Sequence, residues 1–173
     1  MYGLLCVVGK SGSGKTTIIE RIIPELIKRG YKVGTIKHDA HEFEIDHKGK
    51  DTWRMAQAGA ETVVIASSDK IAMVKKIDSE CNIDQISEWL LKDVDIVIAE
   101  GYKKENKPKL EVTSTESLTC AEDSALLGVI LNTEQMAEHG KEKKNMPVRL
   151  TYYTFEEIIK ITDMIENAVL KKD

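Results

Sequence analysis

With 173 residues, 42% of them hydrophobic and 31% charged, the chain has the size and composition of one folded domain, which excludes a disordered or fibrous protein. Its formal net charge of −4 argues against a dedicated nucleic-acid binder, which would carry a basic excess. Short apolar runs and three cysteines without metal-like spacing favour a cytoplasmic protein with no membrane partner, and the early first strand predicts no signal peptide.

The first predicted elements are a strand, a glycine-rich turn and a helix. The apolar run at residues 4–8 is typical of a strand buried on both faces of a parallel sheet. Isoleucines and leucines at helical spacing over residues 18–27 predict an amphipathic helix, and Gly30 is placed to end it. A second strand is predicted at residues 32–37, followed by a polar loop and a short helix around 51–58.

The middle of the chain predicts a hairpin and another helix. Residues 61–67 and 71–75 read as two strands joined by a short turn, hence as an antiparallel hairpin. Asn82 is placed to cap a helix whose apolar residues lie within 83–91.

The remaining elements complete an alternation of strands and helices. Strands are predicted at residues 94–99 and 125–131, with a short one at 109–113. Thr154 and Glu157 have the spacing of a capping box and are expected to open a last helix. The pattern predicts an α/β fold: one three-layer P-loop domain over all 173 residues, with a mostly parallel sheet and an antiparallel hairpin.

The turn after the first strand has the spacing G-x-x-x-x-G-K-[ST] of a phosphate-binding loop. Its glycines let backbone N–H groups point at phosphate oxygens, and the helix that follows adds the positive end of its dipole. Lys15 supplies a charge for the β- and γ-phosphates, and the Thr16 hydroxyl is a ligand for Mg²⁺. The predicted nucleotide-binding residues are Gly9, Ser11, Gly12, Ser13, Gly14, Lys15, Thr16 and Thr17.

A phosphate loop needs carboxylates near its metal. Glu100 ends an apolar strand, and Asp46 lies in the loop after the second strand, so both are expected at the carboxyl edge of the sheet. We predict that Thr16 and Glu100 face Mg²⁺, with a solvated strand-end acid as the alternative for Glu100, and that Asp46 orients a water on the metal. Lys10 has two interpretations, an extra lysine of nucleotide-sandwich dimers or a solvated loop residue.

Two further groups of charged residues carry open alternatives. His38 and His41 suggest a transition-metal site, but their spacing without a cysteine is a weak signal and favours a solvated loop. Four lysines follow Glu100, and they form either a solvated surface or a site for a second anionic group. These lysines are Lys103, Lys104, Lys107 and Lys109.

The chain resembles the molybdopterin-guanine dinucleotide biosynthesis adapter family, MobB. Four segments carry the resemblance in the order of the family, and they cover most of the first 111 residues. The segments are 9–17, 36–46 with His38, His41 and Asp46, 49–60 with Gly-Lys-Asp-Thr-Trp-Arg before Ala-Gly-Ala, and 100–109 with Glu-Gly-Tyr-Lys and Pro-Lys.

This resemblance implies a homodimeric GTP-binding protein that assists the attachment of GMP to molybdopterin, with GTP and Mg²⁺ as its ligands and at most slow GTP hydrolysis. The transfer itself would belong to a partner, a MobA-type guanylyltransferase, and molybdopterin is a further possible ligand. Candidates for contact with a second ligand or with the partner are Lys50, Arg54, Lys103 and Lys109.

The alternative is a P-loop small-molecule kinase or another NTPase. Kinases commonly place an arginine over the phosphates, and of the four arginines only Arg54 is expected near the candidate edge, which favours the adapter. No Asn-Lys-x-Asp motif for reading guanine is present, and Asn132-Thr133-Glu134 is a poor substitute. The assignment of GTP therefore comes from the resemblance.

Overall fold

The computed structural model describes residues 2–39, 43–138 and 146–170. Contacts between residues divide the chain into two compact units. The first comprises Met1–His38 with Ile86–Asp173, and the second comprises Asp39–Gln85. No helix in the described ranges is both long enough and apolar enough to cross a membrane.

The elements alternate along the chain much as the hydrophobic pattern predicts. The strands are β1 Gly3–Val8, β2 Val33–Lys37, β3 Thr62–Ala66, β4 Ile71–Lys75, β5 Ile96–Glu100, β6 Lys109–Thr113, β7 Leu126–Leu131 and β8 Tyr152–Thr154. The helices are α1 Lys15–Lys28, α2 Asp51–Gln57, α3 Ile83–Leu90, α4 Thr133–Glu138 and α5 Ile158–Ile165, which continues as a π-helical turn at Glu166–Leu170.

The first unit contains a six-stranded sheet in the order β2-β5-β1-β6-β7-β8, and every neighbouring pair is parallel. Both faces of its central strands are buried, which explains their continuous apolar runs. The main core lies between the sheet and helices α1 and α5, where Leu5 and Ile98 meet Ile22 and Ile161. A smaller cluster around Leu131 and Met136 lies at β7 and α4. The predicted α/β class is therefore confirmed.

The parallel arrangement brings the ends of several strands to one edge. Val7 of β1 and Lys37 of β2 are both in register with Glu100 of β5. Because loops that follow parallel strands emerge at the same edge, the phosphate loop, Glu100 and the segments after β7 and β8 are neighbours there. This edge is where the sequence predicts the site.

Strand β6 is more central than its sequence suggests. The short strand predicted at 109–113 lies between β1 and β7, and all five of its residues are buried. Lys109, Glu111 and Thr113 are among them, and their polar groups are satisfied inside the unit. Polar and apolar residues alternate along β6, a pattern that normally indicates a half-exposed strand, but this strand is fully buried.

The sequence pattern did not predict two short elements, α4 and β8, and the predicted start of the last helix was wrong. Thr154 ends β8, and its N–H donates to Glu157 Oε2 at 2.9 Å, so one half of the predicted capping box forms. The helix begins only at Ile158, with Glu157 at its N-cap. The prediction that Thr154 opens this helix was wrong because Thr154 belongs to a strand.

The second unit contains α2 and the predicted antiparallel hairpin of β3 and β4, in which Val64 lies opposite Met73. Asn82 and Gln85 form a reciprocal cap before α3: Asn82 Oδ1 accepts from the Gln85 N–H at 2.9 Å, and Gln85 Oε1 accepts from the Asn82 N–H at 3.1 Å. The hairpin and the helix cap are thus both as predicted.

Candidate functional site

The loop between β1 and α1 depends on three glycines with positive φ angles, Gly9 (144°), Gly12 (74°) and Gly14 (99°). These conformations favour glycine because it lacks a Cβ. Space is limiting as well at Gly9, where a Cβ would lie only 2.2 Å from the carbonyl oxygen of Val112 in β6. The loop is therefore pressed against the sheet and leads directly into the N-terminus of α1.

Lys15 is the first residue of the 14-residue helix α1. Its ammonium donates to two loop carbonyls, Gly9 O at 3.2 Å and Lys10 O at 2.9 Å. The side chain thus folds back over the loop, on the side where the helix dipole favours an anion. This is the position from which a lysine reaches terminal phosphates.

Thr16 and Glu100 meet although 84 positions separate them. Thr16 Oγ1 donates to Glu100 Oε2 at 2.8 Å. A hydroxyl and a carboxylate beside a phosphate loop are the hard oxygen ligands that Mg²⁺ prefers, with phosphate oxygens and water completing its shell. The pair therefore fits the predicted metal, and the metal-binding role of Glu100 stays a prediction.

A cleft of about 630 Å³ opens at this edge of the first unit. Its volume lies within the range of small-molecule sites. Six of the eight predicted nucleotide-binding residues line this cleft, whereas Gly9 and Ser13 do not. The cleft is lined by Ser11, Gly12, Gly14, Lys15, Thr16, Thr17, Arg21, Lys37, Glu100, Asn132, Thr133, Glu134, Gln135, Phe155 and Glu156.

Arg21 is a cleft residue that the sequence analysis missed, and the expectation that only Arg54 lies near the candidate edge was wrong. Arg21 Nη1 donates to the Phe155 carbonyl at 3.2 Å, and the guanidinium carbon is 5.5 Å from the centroid of the Phe155 ring. Arg21 follows Thr17, a predicted nucleotide-binding residue, by four residues on α1 and so lies on the same face of the helix, which was the available signal. Its partner Phe155 follows β8, a strand that was not predicted.

Lys37 was also missed, and Asn132 was considered only as part of a poor substitute for a guanine-reading motif. Lys37 ends β2 in register with Glu100, so its position at the end of a predicted strand was a usable signal. Asn132 follows β7, and its Nδ2 donates to the Ser13 carbonyl at 3.3 Å. This hydrogen bond attaches the segment after β7 to the phosphate loop.

Three predicted site residues lie in the second unit: Asp46, Lys50 and Arg54. Asp46 Oδ1 accepts from the His47 N–H at 2.9 Å and from Thr52 Oγ1 at 3.1 Å, so this carboxylate organises the start of α2. Lys50 and Arg54 are exposed, and Arg54 pairs with Asp51 at 3.6 Å. The roles predicted for Asp46, Lys50 and Arg54 stay predictions.

The transition-metal site suggested by His38 and His41 also stays a prediction. His41 lies outside the described residues, so its relation to His38 has no structural account. Within the described ranges no group of three histidine, cysteine or acidic residues is arranged to hold a metal ion. The His38 ring instead lies 4.8 Å from the Tyr102 ring, at an angle of 55°.

The lysines after Glu100 occupy different environments. Lys103 is exposed, whereas Lys109 is only 1% exposed. The Lys109 ammonium forms an ion pair with Asp123 and donates to the carbonyls of Lys103 at 3.3 Å and Glu105 at 2.8 Å. The Lys109 ammonium, and then the Ala125 N–H, hold the pKa of Asp123 below its ordinary value. A second ligand could reach Lys109 only if these contacts broke.

The Thr16–Glu100 pair leads to a prediction about metal dependence. Replacing Glu100 by Ala is expected to reduce the tightening of triphosphate binding by Mg²⁺ more than it reduces metal-free binding, because the metal loses a carboxylate. Asp46→Ala is expected to act in the same direction if Asp46 also serves the metal. Titrations with and without Mg²⁺ measure both effects. If Mg²⁺ helps both variants as much as the parent, these carboxylates have another role.

Comparisons with known proteins identify a family for this chain. The family model described as "MobB: Molybdopterin guanine dinucleotide synthesis protein B" matches residues 4–132. Relatives named "Molybdopterin-guanine dinucleotide biosynthesis adapter protein" are 40% identical over 108 residues in Haemophilus influenzae and 34% identical over 113 residues in Escherichia coli. These alignments cover 62% and 64% of this chain but only 61% and 65% of the two relatives, less than two thirds of either.

Solved structures give the same result for the fold. The crystal structure of molybdopterin-guanine biosynthesis protein B (mobB) matches with a TM-score of 0.71 at 29% identity, over 95% of this chain and 97% of that one. The Bacillus subtilis MobB structure matches with a TM-score of 0.72 at 24% identity, over 99% and 100%. The likeness therefore extends beyond residue 132 to nearly the whole chain.

Proposed function

The chain belongs to the MobB family of molybdopterin guanine dinucleotide synthesis proteins, and from that premise we propose that it is a GTP-binding adapter that assists the attachment of GMP to molybdopterin. The observation that carries the proposal is the convergence of Lys15, Thr16 and Glu100 in one cleft. A lysine at a helix N-terminus, a hydroxyl and a strand-end carboxylate form the set that binds a triphosphate with Mg²⁺.

Each residue has a distinct task in this proposal. The N–H groups of the glycine loop and the Lys15 ammonium would bind the β- and γ-phosphates, while Thr16 and Glu100 would hold Mg²⁺, which when bound neutralises phosphate charge. Lys37 adds a cation at the same edge, beside Glu100. The exposed Lys103 is available to a second anion, for which we propose the phosphate of molybdopterin.

We propose that the protein captures GTP and that a MobA-type guanylyltransferase performs the transfer. Hydrolysis by the isolated protein is then expected to be slower than about one turnover per minute, the scale of GTPases without a positioned arginine. Arg21 lines the cleft, but its guanidinium is bound to the Phe155 carbonyl and ring. Phosphate release from GTP and Mg²⁺ measures the rate, and several turnovers per second would favour an enzyme.

We also propose a homodimer, and the hairpin of the second unit supports it. Val64, Ile65, Ile71, Met73 and Val74 are between 40% and 74% exposed and lie on both faces of the hairpin. Apolar side chains exposed in such number mark an interaction surface. Sedimentation of the parent protein should give the mass of two chains. The Ile71→Lys variant should shift the measured mass toward that of one chain. The control Ser68→Lys, in the exposed turn, should keep the mass of two chains. A monomeric parent would contradict the proposal.

The adapter function is tested by reconstitution. Purified protein is added to a MobA-type enzyme, molybdopterin and Mg²⁺ at limiting GTP, and the yield of molybdopterin-guanine dinucleotide is measured. The parent should raise the yield and Lys15→Ala should not. Lys103→Ala should lose the stimulation while it keeps GTP binding, which would separate transfer to the enzyme from capture. Lys92→Ala, an exposed lysine outside the cleft, is the matched control.

Two results of this assay would contradict the proposal. One is a yield that the parent protein leaves unchanged at every GTP concentration. The other is phosphorylation of a small acceptor by the parent, which would support the kinase alternative.

A further inference from the structure

The cleft extends beyond the phosphate loop to a wall built from two segments distant in sequence. Residues 132–135 follow β7, and residues 155–156 follow β8. All six of these residues line the same cleft as Lys15 and Thr16. We call them the distal wall.

The distal wall is attached to the phosphate loop at several points. Asn132 is only 9% exposed, and its Nδ2 donates to the Ser13 carbonyl at 3.3 Å while its Oδ1 accepts from the Gln135 N–H at 3.2 Å. The Phe155 ring lies against Gly14, where a Cβ would approach it to 2.8 Å. Arg21 of α1 binds the Phe155 carbonyl. The wall therefore has a defined position relative to the phosphate loop.

Two carboxylates distinguish this wall chemically. Glu134 and Glu156 are exposed, and within the described residues neither has a hydrogen bond or an ion pair. Acids in a cleft for a polyanion oppose its binding unless they contact another part of the ligand. The same cleft carries the cations Lys15, Arg21 and Lys37, so a ligand that uses all of it would be anionic at the phosphate loop and would offer hydrogen-bond donors to the distal wall.

We propose that the distal wall is the guanine subsite and that Glu134 and Glu156 read the base. The inference rests on the proposed function and deepens it, because it supplies the base selection that the absent Asn-Lys-x-Asp motif leaves open. An ionised carboxylate only accepts hydrogen bonds. Guanine presents adjacent donors, N1–H and the 2-amino group, whereas adenine presents the N1 lone pair there. The carboxylates therefore bind guanine and repel adenine.

The experiment measures affinity for GTP, ATP and xanthosine triphosphate, each with Mg²⁺, by calorimetry. The variants are Glu134→Gln, Glu156→Gln and the double variant. Glu20→Gln, an exposed acid on α1 outside the cleft, is the control. Glutamine keeps the shape of glutamate but places an N–H donor where a charged acceptor stood.

The parent should prefer GTP over ATP by at least about tenfold, because charged hydrogen bonds to the base are lost with adenine. The double variant should bring the ratio within about twofold of one. At least one single variant should gain affinity for xanthosine triphosphate, whose 2-carbonyl accepts from the new amide. The Glu20→Gln control should match the parent for all three nucleotides.

Failure of this inference is distinguishable from failure of the proposed function. If the parent binds GTP and ATP equally, or if the double variant keeps the preference of the parent, the guanine subsite is refuted while triphosphate capture stands. If the parent binds no triphosphate, both the subsite and the proposed function fall.

Discussion

Lys15→Ala should weaken GTP binding at least about tenfold, because a charge-assisted contact to phosphate is worth about 1.5–3 kcal/mol. The ammonium lies over the loop, within hydrogen-bond distance of the Gly9 and Lys10 carbonyls at the N-terminus of α1. Alanine keeps the helix and removes the charge. Calorimetric titration with GTP and Mg²⁺ measures the loss.

The control for this prediction is Lys92→Ala, since Lys92 is exposed and does not line the cleft. Its affinity should equal that of the parent. Thermal unfolding should place both variants close to the parent, because within the described residues the Lys15 ammonium donates only to loop carbonyls. A folded Lys15→Ala protein that binds GTP as tightly as the parent would refute the phosphate-loop assignment.

The second large effect concerns stability. Lys109→Met should lower the free energy of unfolding by about 2–3 kcal/mol, less than the 3–5 kcal/mol typical of a fully buried ion pair. We expect this smaller loss of stability because the Asp123 side chain is 28% exposed and stays partly hydrated. The variant leaves this carboxylate and the carbonyls of Lys103 and Glu105 without their shared donor. Urea unfolding measures the difference, and Lys103→Met is the matched exposed control.

Acid should reduce the contribution of this ion pair. Because the pKa of Asp123 is lower in the folded protein than its ordinary value of 3.8, the stabilisation is complete above that value and is lost as the pH falls through the folded-state pKa. Lys109→Met removes the main cause of the shift. The difference in unfolding free energy between parent and variant should therefore shrink as the pH falls below 3.8.

If Lys109→Met is as stable as the parent at neutral pH, the ion pair contributes no net stability and this prediction is wrong. The reconstitution assay alone cannot separate a stabilising role of Lys109 from contact with a second ligand, because an unstable variant also loses stimulation. Lys103 is the better probe of a second ligand, since its side chain is exposed.

Much of the fold and the near half of the site follow from contiguous patterns in the sequence. The strand-loop-helix order around residues 3–28 combines a buried run, glycines and a periodic helix, and each of these signals is local. Glu100 was predictable because it ends a buried strand, and parallel strands bring such ends to the edge of the phosphate loop.

The far half of the cleft was not predictable by the same reasoning. The distal wall depends on β8, a three-residue strand whose half-buried residues leave almost no periodic signal. The structural role of Asn132 follows only from its hydrogen bond to the carbonyl of Ser13, 119 positions earlier. Such pairs depend on sheet order, and the sequence pattern does not specify that β7 and β8 lie beyond β6.

The lysines after Glu100 show that the charge of a residue does not predict its exposure. Lys103 and Lys109 look equivalent in sequence, yet one is exposed and the other is buried in the central strand β6. The difference comes from Asp123, which lies 14 positions after Lys109 and neutralises it. Burial of a charge depends on a partner, and a partner at that distance in sequence is invisible to a periodic pattern.

Calorimetric titration of the parent protein with GTP, in the presence and absence of Mg²⁺, measures whether the phosphate loop captures the nucleotide together with the metal. We expect saturable binding of GTP that Mg²⁺ tightens, since Thr16 and Glu100 place oxygen ligands beside the loop. Absence of binding, or equal binding with and without Mg²⁺, would contradict it.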